Sequence, residues 1–503
     1  MRRQLVRSGF FGKIGPDVKK SLRYSFLFGG IALMLAGFLY TTRIWYDDTG
    51  HWRVARQLSE TGKCCYLLDS ETGECEKHSQ FITAGPAVLY PAALWMKIFG
   101  TGFYTSRWYI LPFSMFFLIS LWLVAKELLN EKKAWWTLLL VAGNIQFLTY
   151  GSQFLPEVPM LFWFFTGIVF QVRLLSAKKG RNIATIVAAT CWGMAVLSKE
   201  YILFPAGAGL AGCLLIASRK KDWKSGLRFL FQGLIVFSFP AVNWFLGFET
   251  FSGWKDFWIA RNAYQSEFLA FNWGESLHFL ALKPLIAGGT AALIAKVYFR
   301  RSPADIFLLF VQIAWLGFFL ASQGFDRFGF QLLFIPAIYL SEFIVFLYDR
   351  ISRFRRKRTI TTIVFAVIFV AVFTQKSFWV LTQRLYSPDE ANAGEICIAA
   401  ELKKGCAKVF TYDEQLIPFL PACVRYRLNP VIPANAKNAK VLILNRDEVY
   451  VAGIYGETVF HDQVHWDSLK ESVRCGKRPG EEGAYRILVP GRQDRQPSEV
   501  SDQ

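Results

Sequence analysis

Eleven stretches of this chain are apolar for long enough to cross a lipid bilayer, and no other feature narrows its fold so far. A helix needs about 20 largely apolar residues to traverse the hydrocarbon, because every backbone amide must find its partner inside the segment. The predicted spans are approximately Tyr24 to Thr42, Trp108 to Ala125, Ala134 to Tyr150, Val158 to Leu175, Asn182 to Leu197, Tyr201 to Ala217, Phe229 to Phe248, Phe279 to Val297, Ile306 to Ala321, Gln331 to Leu347 and Thr359 to Leu381. With 53% hydrophobic and 19% charged residues, neither a disordered chain nor an ordinary soluble domain fits.

The formal charge of +19 raises the question of nucleic acid, so its location matters. From Gln383 onward there are 16 basic and 17 acidic residues, so the basic excess belongs to the apolar part. There the cations sit on alternate connections: the amino terminus, Lys126/Lys132/Lys133, Lys178/Lys179/Arg181, Arg219 to Arg228, Lys296/Arg300/Arg301 and Arg350 to Arg358. The intervening connections are balanced or nearly uncharged. Positive loops stay cytoplasmic during insertion, which predicts an inner-membrane protein with its amino terminus inside and its carboxyl terminus outside, on the periplasmic face in a bacterial cell. Insertion and anionic lipid account for the cations, so nucleic acid is not expected as a partner.

The expected architecture is an all-α polytopic membrane protein with a small C-terminal α/β domain. Residues 1–23 form a basic cytoplasmic segment and 24–382 the membrane domain, with outer loops 43–105 and 249–278. Residues 383–490 form the α/β domain, with strands over Ala407 to Tyr412, Ala439 to Asn445 and Tyr485 to Val489 and a helix-like run from Asp413. Residues 491–503 read as a disordered tail. The first apolar segment exceeds a signal-peptide core and lacks a small-residue cleavage site, so it reads as a retained span. Cys64, Cys65 and Cys75 lie in the first outer loop and Cys397, Cys406, Cys423 and Cys475 in the tail, where oxidation is permitted. Disulfides are expected there, with zinc held by Cys64, Cys65, Cys75 and His78 as the alternative; Cys191 and Cys213 read as packing residues within spans.

The chemistry-bearing residues gather on the outer connections. Asp47 and Asp48 follow the first span within Trp45-Tyr46-Asp47-Asp48-Thr49-Gly50-His51. Two partly desolvated carboxylates at the membrane surface can yield a base of altered pKa, or they can be a solvated acidic turn beside interfacial aromatics. An amphipathic stretch, Trp52 to Leu58, and the apolar run Phe81 to Pro91, which contains Gly85-Pro86, are expected to lie along the interface. Glu157, in Pro156-Glu157-Val158-Pro159, opens the fourth span, either as a functional carboxylate or as an acid favoured by the helix dipole. Lys199 sits between two spans on the outer side against the positive-inside bias, and invites an anion, either Glu200 or a phosphate. Arg327 occupies the turn between spans nine and ten, with Asp326 or an anion as partner.

The acidic pair after the first span, the Gly-Pro-x-x-x-Tyr-Pro run, Phe99-Gly100, Arg107, the acid opening the fourth span, the Lys after the fifth and the late Arg resemble integral-membrane glycosyltransferases of the GT-C superfamily. The branch is that of protein O-mannosyltransferases and lipid A aminoarabinose transferases, and the likeness covers roughly residues 20 to 350. It implies a polyprenyl-phosphate-linked sugar donor and a glycan, lipid or protein acceptor, in contact with membrane lipid. Carried over by position, Asp47 is the catalytic carboxylate with Asp48 beside it. Glu157 stands where members commonly have Asp. Lys199 and Arg327 are the phosphate-binding cations, with Arg261 and Tyr264 as weaker candidates for that pocket. The implied reaction is a single inverting displacement in which Asp47 takes the acceptor's proton and the cations stabilise the departing phosphate. No cofactor is required, although Asp47 and Asp48 could bind a divalent metal. The rival reading is a transporter or flippase for a lipid-linked or anionic substrate, which calls for charges deep within the spans and repeat symmetry.

Overall fold

The computed structural model describes residues 16–76 apart from 43 and 45, then 84–176, 181–247, 274, 283–321, 326–352, 393–403, 408–411, 414–420, 423–428, 448–452, 469–475 and 485–490. The eleventh predicted span, most of the second outer loop with Arg261 and Tyr264, the strand over Ala439 to Asn445 and the tail beyond residue 490 lie outside the described residues.

The other predicted spans all fall on helices: α1 (Pro16–Thr41), α4 (Phe103–Leu128), α5 (Glu131–Ala142) with α6 (Ile145–Tyr150), α7 (Glu157–Ser176), α8 (Arg181–Ser198), α9 (Leu203–Arg219), α10 (Trp223–Gly247), α11 (Pro284–Arg300), α12 (Pro303–Ala321) and α14 (Phe334–Ser352). The short turn α13 (Asp326–Gly329) precedes α14. Among the described residues, five helical stretches meet the length and apolarity that crossing a membrane demands: Phe103–Leu128, Glu157–Ser176, Glu200–Arg219, Pro303–Ala321 and Gln331–Arg350. The third predicted span is broken in two. Asn130 caps α5 by accepting from Lys133 N at 3.0 Å, and Asn144 caps α6 by accepting from Gln146 N at 2.9 Å. A side chain that satisfies the orphan amides of a helix start favours a new start there, so Asn144 divides the segment.

The bundle is packed by large aromatics, with Trp192, Phe117, Phe147, Phe164 and Phe165 all fully buried. A second, smaller core lies at the end of the bundle that carries the chain from α1 into α2 (Tyr46–Thr61). It joins Trp52, Val54 and Ala55 of α2 to Val88, Leu89, Ala92 and Met96 of α3 (Pro86–Phe99), to Phe103, Tyr109 and Ile110 of α4, and to Phe154, Val158 and Ile417. Helices α2 and α3 are thereby fixed as rigid elements although neither is a span. Between them a two-stranded ribbon, β1 (Tyr66–Leu67) and β2 (Cys75–Glu76), is closed by a Cys65–Cys75 disulfide. Cys64 remains a free thiol, so the three cysteines of this loop are used as a bridge and not as a metal set.

Toward the carboxyl terminus come helix α15 (Ala393–Lys403) and a five-stranded sheet of order β4-β3-β5-β7-β6, comprising β3 (Lys408–Thr411), β4 (Arg425–Leu428), β5 (Glu448–Ala452), β6 (Leu469–Cys475) and β7 (Tyr485–Pro490). β3 is parallel to both neighbours, and β7 is antiparallel to β5 and β6. The run from Asp413 forms only a 3-10 segment, Glu414–Phe419, with Pro418 inside it. Cys397 and Cys423 are disulfide-bonded. This region meets α2: the Arg53 guanidinium lies 4.3 Å from the Tyr66 ring centroid and 5.7 Å from that of Tyr426, and Ser70 exchanges hydrogen bonds with the Tyr426 backbone.

Candidate active site

Asp47 stands in the first turn of α2 and Glu157 opens α7, both at helix amino termini where the dipole favours an acid. Lys199 is the single extended residue between α8 and the 3-10 turn Glu200–Ile202 that leads into α9. Arg327 lies in α13. All four belong to one end of the bundle. Arg327 joins the two acids: Nη1 donates to Asp47 Oδ2, while Nη2 and Nε donate to Glu157 Oε1 at 2.7 and 3.0 Å. Lys199 Nζ stands 3.8 Å from the same Glu157 oxygen. Residues spread over 280 positions of sequence thus form one network.

Asp48 is not part of it. Its side chain is fully buried, accepts from Arg107 Nε at 3.0 Å and Nη2 at 2.5 Å, and accepts from Phe154 N at 2.8 Å. Arg107 also donates to the carbonyls of Leu39 and Thr42 at 2.7 and 2.8 Å, which ties the end of α1 to α4. The expectation that Asp47 and Asp48 act side by side is therefore corrected. Once the pair lies on a helix, adjacent side chains diverge by about 100° and cannot face one ligand together. One carboxylate turns to Arg327 and its neighbour into the core.

On α2 the residue that shares Asp47's face is His51, four positions on. It is buried, and its Nδ1 donates to the Phe154 carbonyl at 3.2 Å, leaving Nε2 as the acceptor of a neutral ring. Burial holds His51 far down, at about 4, against the opposing pull of Asp47. Asp47 keeps 39% of its side-chain surface exposed. Burial alone pushes its carboxyl up, but the Arg327 guanidinium, with help from Lys199, outweighs this and holds Asp47 below the ordinary carboxylate range. Burial likewise works against the Arg327 charge, and Asp47 and Glu157 together hold it above its ordinary value.

Glu157 is 1% exposed, and its Oε2 has no hydrogen-bond partner among the described residues. Nearby, Gln331 Nε2 donates to the Tyr201 hydroxyl at 2.5 Å, and the Tyr201 ring stacks on Phe318. His51, Tyr201 and Gln331 carried no separate signal in the sequence beyond the helical spacing of His51 from Asp47. Asp47 and Asp48 point apart, so these two carboxylates do not hold one divalent ion together.

The fold has counterparts among solved structures. It is similar to that of ArnT from Cupriavidus metallidurans bound to undecaprenyl phosphate, with a TM-score of 0.61 at 13% identity over 93% of this chain and 97% of that one. It is also similar to that of the oligosaccharyltransferase AglB from Archaeoglobus fulgidus, in complex with an inhibitory peptide and a dolichol-phosphate, with a TM-score of 0.53 at 13% identity. That match covers 81% of this chain and 65% of AglB, less than two thirds of its length. An oligosaccharyltransferase of the same archaeon in complex with Zn and sulfate matches with a TM-score of 0.50 at 14% identity, over 80% of this chain and 62% of that one. The family profile of dolichyl-phosphate-mannose-protein mannosyltransferases matches residues 83–244, the stretch that holds Arg107, Glu157 and Lys199. A search of curated protein sequences gives no significant match.

Proposed function

We propose that this protein transfers a sugar from a polyprenyl-phosphate donor to a hydroxyl acceptor at the outer face of the inner membrane, with inversion. The observation that carries this reading is the Arg327 bridge between Asp47 and Glu157 beside Lys199. Such a network is expensive to bury, because each ion loses several kcal/mol of hydration, so its presence argues for a function other than stability.

The donor count gives it a use. A guanidinium has five N–H groups. Three are engaged here, which leaves, among the described residues, one on each terminal nitrogen for a phosphate oxygen. Lys199 supplies the second positive charge. As the acceptor's O–H attacks the anomeric carbon, its proton passes to Asp47, the new C–O bond forms, and the bond to the phosphate oxygen breaks with its electron pair staying on the phosphate. Charge growing on that phosphate draws Arg327 away from Asp47, and the loosened carboxylate becomes more basic when the proton arrives. The leaving group needs no protonation, so one base and two cations suffice. Glu157 anchors Arg327 through Oε1 and offers Oε2 to a hydroxyl of the sugar or acceptor.

Orientation follows the charges. The last turns of α4, α7, α9, α11 and α14 end in Lys126, Arg173, Arg219, Arg300 and Arg350, all at the end away from Asp47. That end is cytoplasmic by the positive-inside rule. The test is transfer from radiolabelled polyprenyl-phosphate sugars to candidate acceptors by the purified full-length protein, wild type against Asp47→Asn. Transfer with anomeric inversion that Asp47→Asn abolishes is the expected result. Undiminished transfer by Asp47→Asn removes Asp47 from the base role.

A further inference from the structure

Gly85-Pro86 opens α3 at the point where α8 ends. Gly85 N–H donates to the Ser198 carbonyl at 3.0 Å, one of the terminal carbonyls that no intrahelical amide reaches. A Cβ on Gly85 would stand 2.0 Å from Leu197 O and 2.8 Å from Leu197 C. The obstacle is backbone on both sides, so no rotamer change relieves it. The next residue after this contact is Lys199, whose own N–H is still tied to Ala195 O at 2.9 Å while its chain turns extended. Its side chain is 7% exposed and ends 3.8 Å from Glu157 Oε1. At Gly85, α3 and α8 thus meet main chain to main chain, and they do so immediately before the site's lysine. Pro86 at the first position of α3 fixes the entry of the helix at its ordinary φ and removes a competing N–H.

We propose that Gly85 is a positioning residue for Lys199: its missing side chain lets α3 seat on the last turn of α8, and that seat sets where the ammonium meets the donor's phosphate. The inference rests on the phosphate-binding reading of Lys199 given above and adds the element that holds it. Any side chain at position 85 forces the two backbones apart by about 1 Å, a displacement large enough to cost a well-aligned contact much of its value. Lys199 is buried at the junction, and the displaced stem carries the charge with it. The molecule supplies its own control in Gly289 of α11, where a Cβ would stand 2.2 Å from the Pro336 carbonyl of α14. That approach is equally tight and does not involve α8.

The experiment is equilibrium binding of tritiated undecaprenyl phosphate to the full-length protein in detergent, for wild type, Lys199→Met, Gly85→Ala, the double variant and Gly289→Ala. Lys199→Met and Gly85→Ala are each expected to weaken binding by about tenfold, with the double variant no weaker than either alone, because one acts through the other. Gly289→Ala is expected to lower the Tm and leave the affinity unchanged. Losses that multiply to roughly a hundredfold in the double variant, an unchanged affinity in Gly85→Ala, or the same loss in Gly289→Ala overturns the inference. Wild-type binding by Lys199→Met is a separate outcome: it removes the phosphate assignment itself, and this inference with it. Should Gly85→Ala fail to accumulate, Pro86→Ala frees the same backbone without a clash. It carries the test at a smaller amplitude of about threefold, again abolished in the Lys199→Met background.

Discussion

At the basic end of the bundle, Glu342 of α14 accepts from Lys296 of α11 at 2.7 Å and from Lys133 of α5 at 3.0 Å, and Tyr339 donates to Asp305 of α12 at 2.7 Å. Thr137 adds a hydrogen bond to Ser341 at 2.9 Å. Here each charge is met by partners from several helices, and the result is a staple across α5, α11, α12 and α14. At the opposite end one guanidinium serves two acids from two distant elements, a lysine stands 3.8 Å from one of them, and a buried carboxylate oxygen has no partner among the described residues. A staple gains by completeness. A site that must receive a ligand keeps hydrogen-bonding capacity in reserve, at the expense of folding free energy.

Substitutions separate the two ends. Asp47→Asn is expected to lower the transfer rate by about a thousandfold while the Tm stays near wild type, because it removes the proposed proton acceptor but keeps shape and size. Arg327→Gln is expected to lower kcat/KM by roughly a hundredfold, and Arg327→Lys to restore little of it, since an ammonium cannot hold two carboxylates and a phosphate in one plane. Asp48→Ala gives the inverse pattern. It strands a fully buried guanidinium and is expected to cost about 3–5 kcal/mol of stability, read as a large fall in Tm, with turnover per folded molecule little changed. Glu342→Gln, half-screened by comparison, costs about 1–2 kcal/mol and leaves transfer alone. An Asp48 variant that folds like wild type yet loses transfer breaks the distinction drawn between the neighbouring aspartates.

How far the sequence reveals this depends on the scale of the feature. Helix existence is legible because the bilayer imposes a length and a hydropathy on each crossing, and the described helices follow ten of the predicted segments apart from the break at Asn144, five of them long and apolar enough to cross. Convergence of Asp47, Glu157, Lys199 and Arg327 is legible through topology: once alternate loops share a side, four outer residues must share one end. What topology leaves open is direction. Asp48 reads as Asp47's equal until α2 is known to start at Tyr46, whereupon the helical angle between neighbours sends it toward Arg107. Arg107 itself carries only a resemblance, with nothing in its spacing from Asp48 to mark the pair. The C-terminal strands are short: β3 and β7 carry continuous apolar runs, Val409-Phe410 and Ile487-Leu488-Val489, that pattern reading finds, whereas β4 has only four residues and β6 is interrupted by charges.

The smallest expected effect is a pH profile without a neutral limb. Asp47 is held below the ordinary carboxylate range and His51 down at about 4, so neither of these two groups changes charge between about pH 5 and 8. Transfer rates are expected to be flat across that interval, whereas a His51 base at its ordinary value would impose a fall below about pH 6.5. Stability responds differently. Between about 6.5 and 4 the unfolded chain binds a proton at His51 that the folded chain refuses, so stability falls as pH drops through that window. At lower pH Asp47 adds to the loss, because its unfolded carboxyl protonates before the folded one. His51→Gln is expected to flatten the first part of this decline in Tm and leave the second. Equal slopes for wild type and His51→Gln across the window mean that His51 is charged in the folded protein, and a cation beside Asp47 would then compete with Arg327 for the carboxylate that the proposed reaction uses as its base.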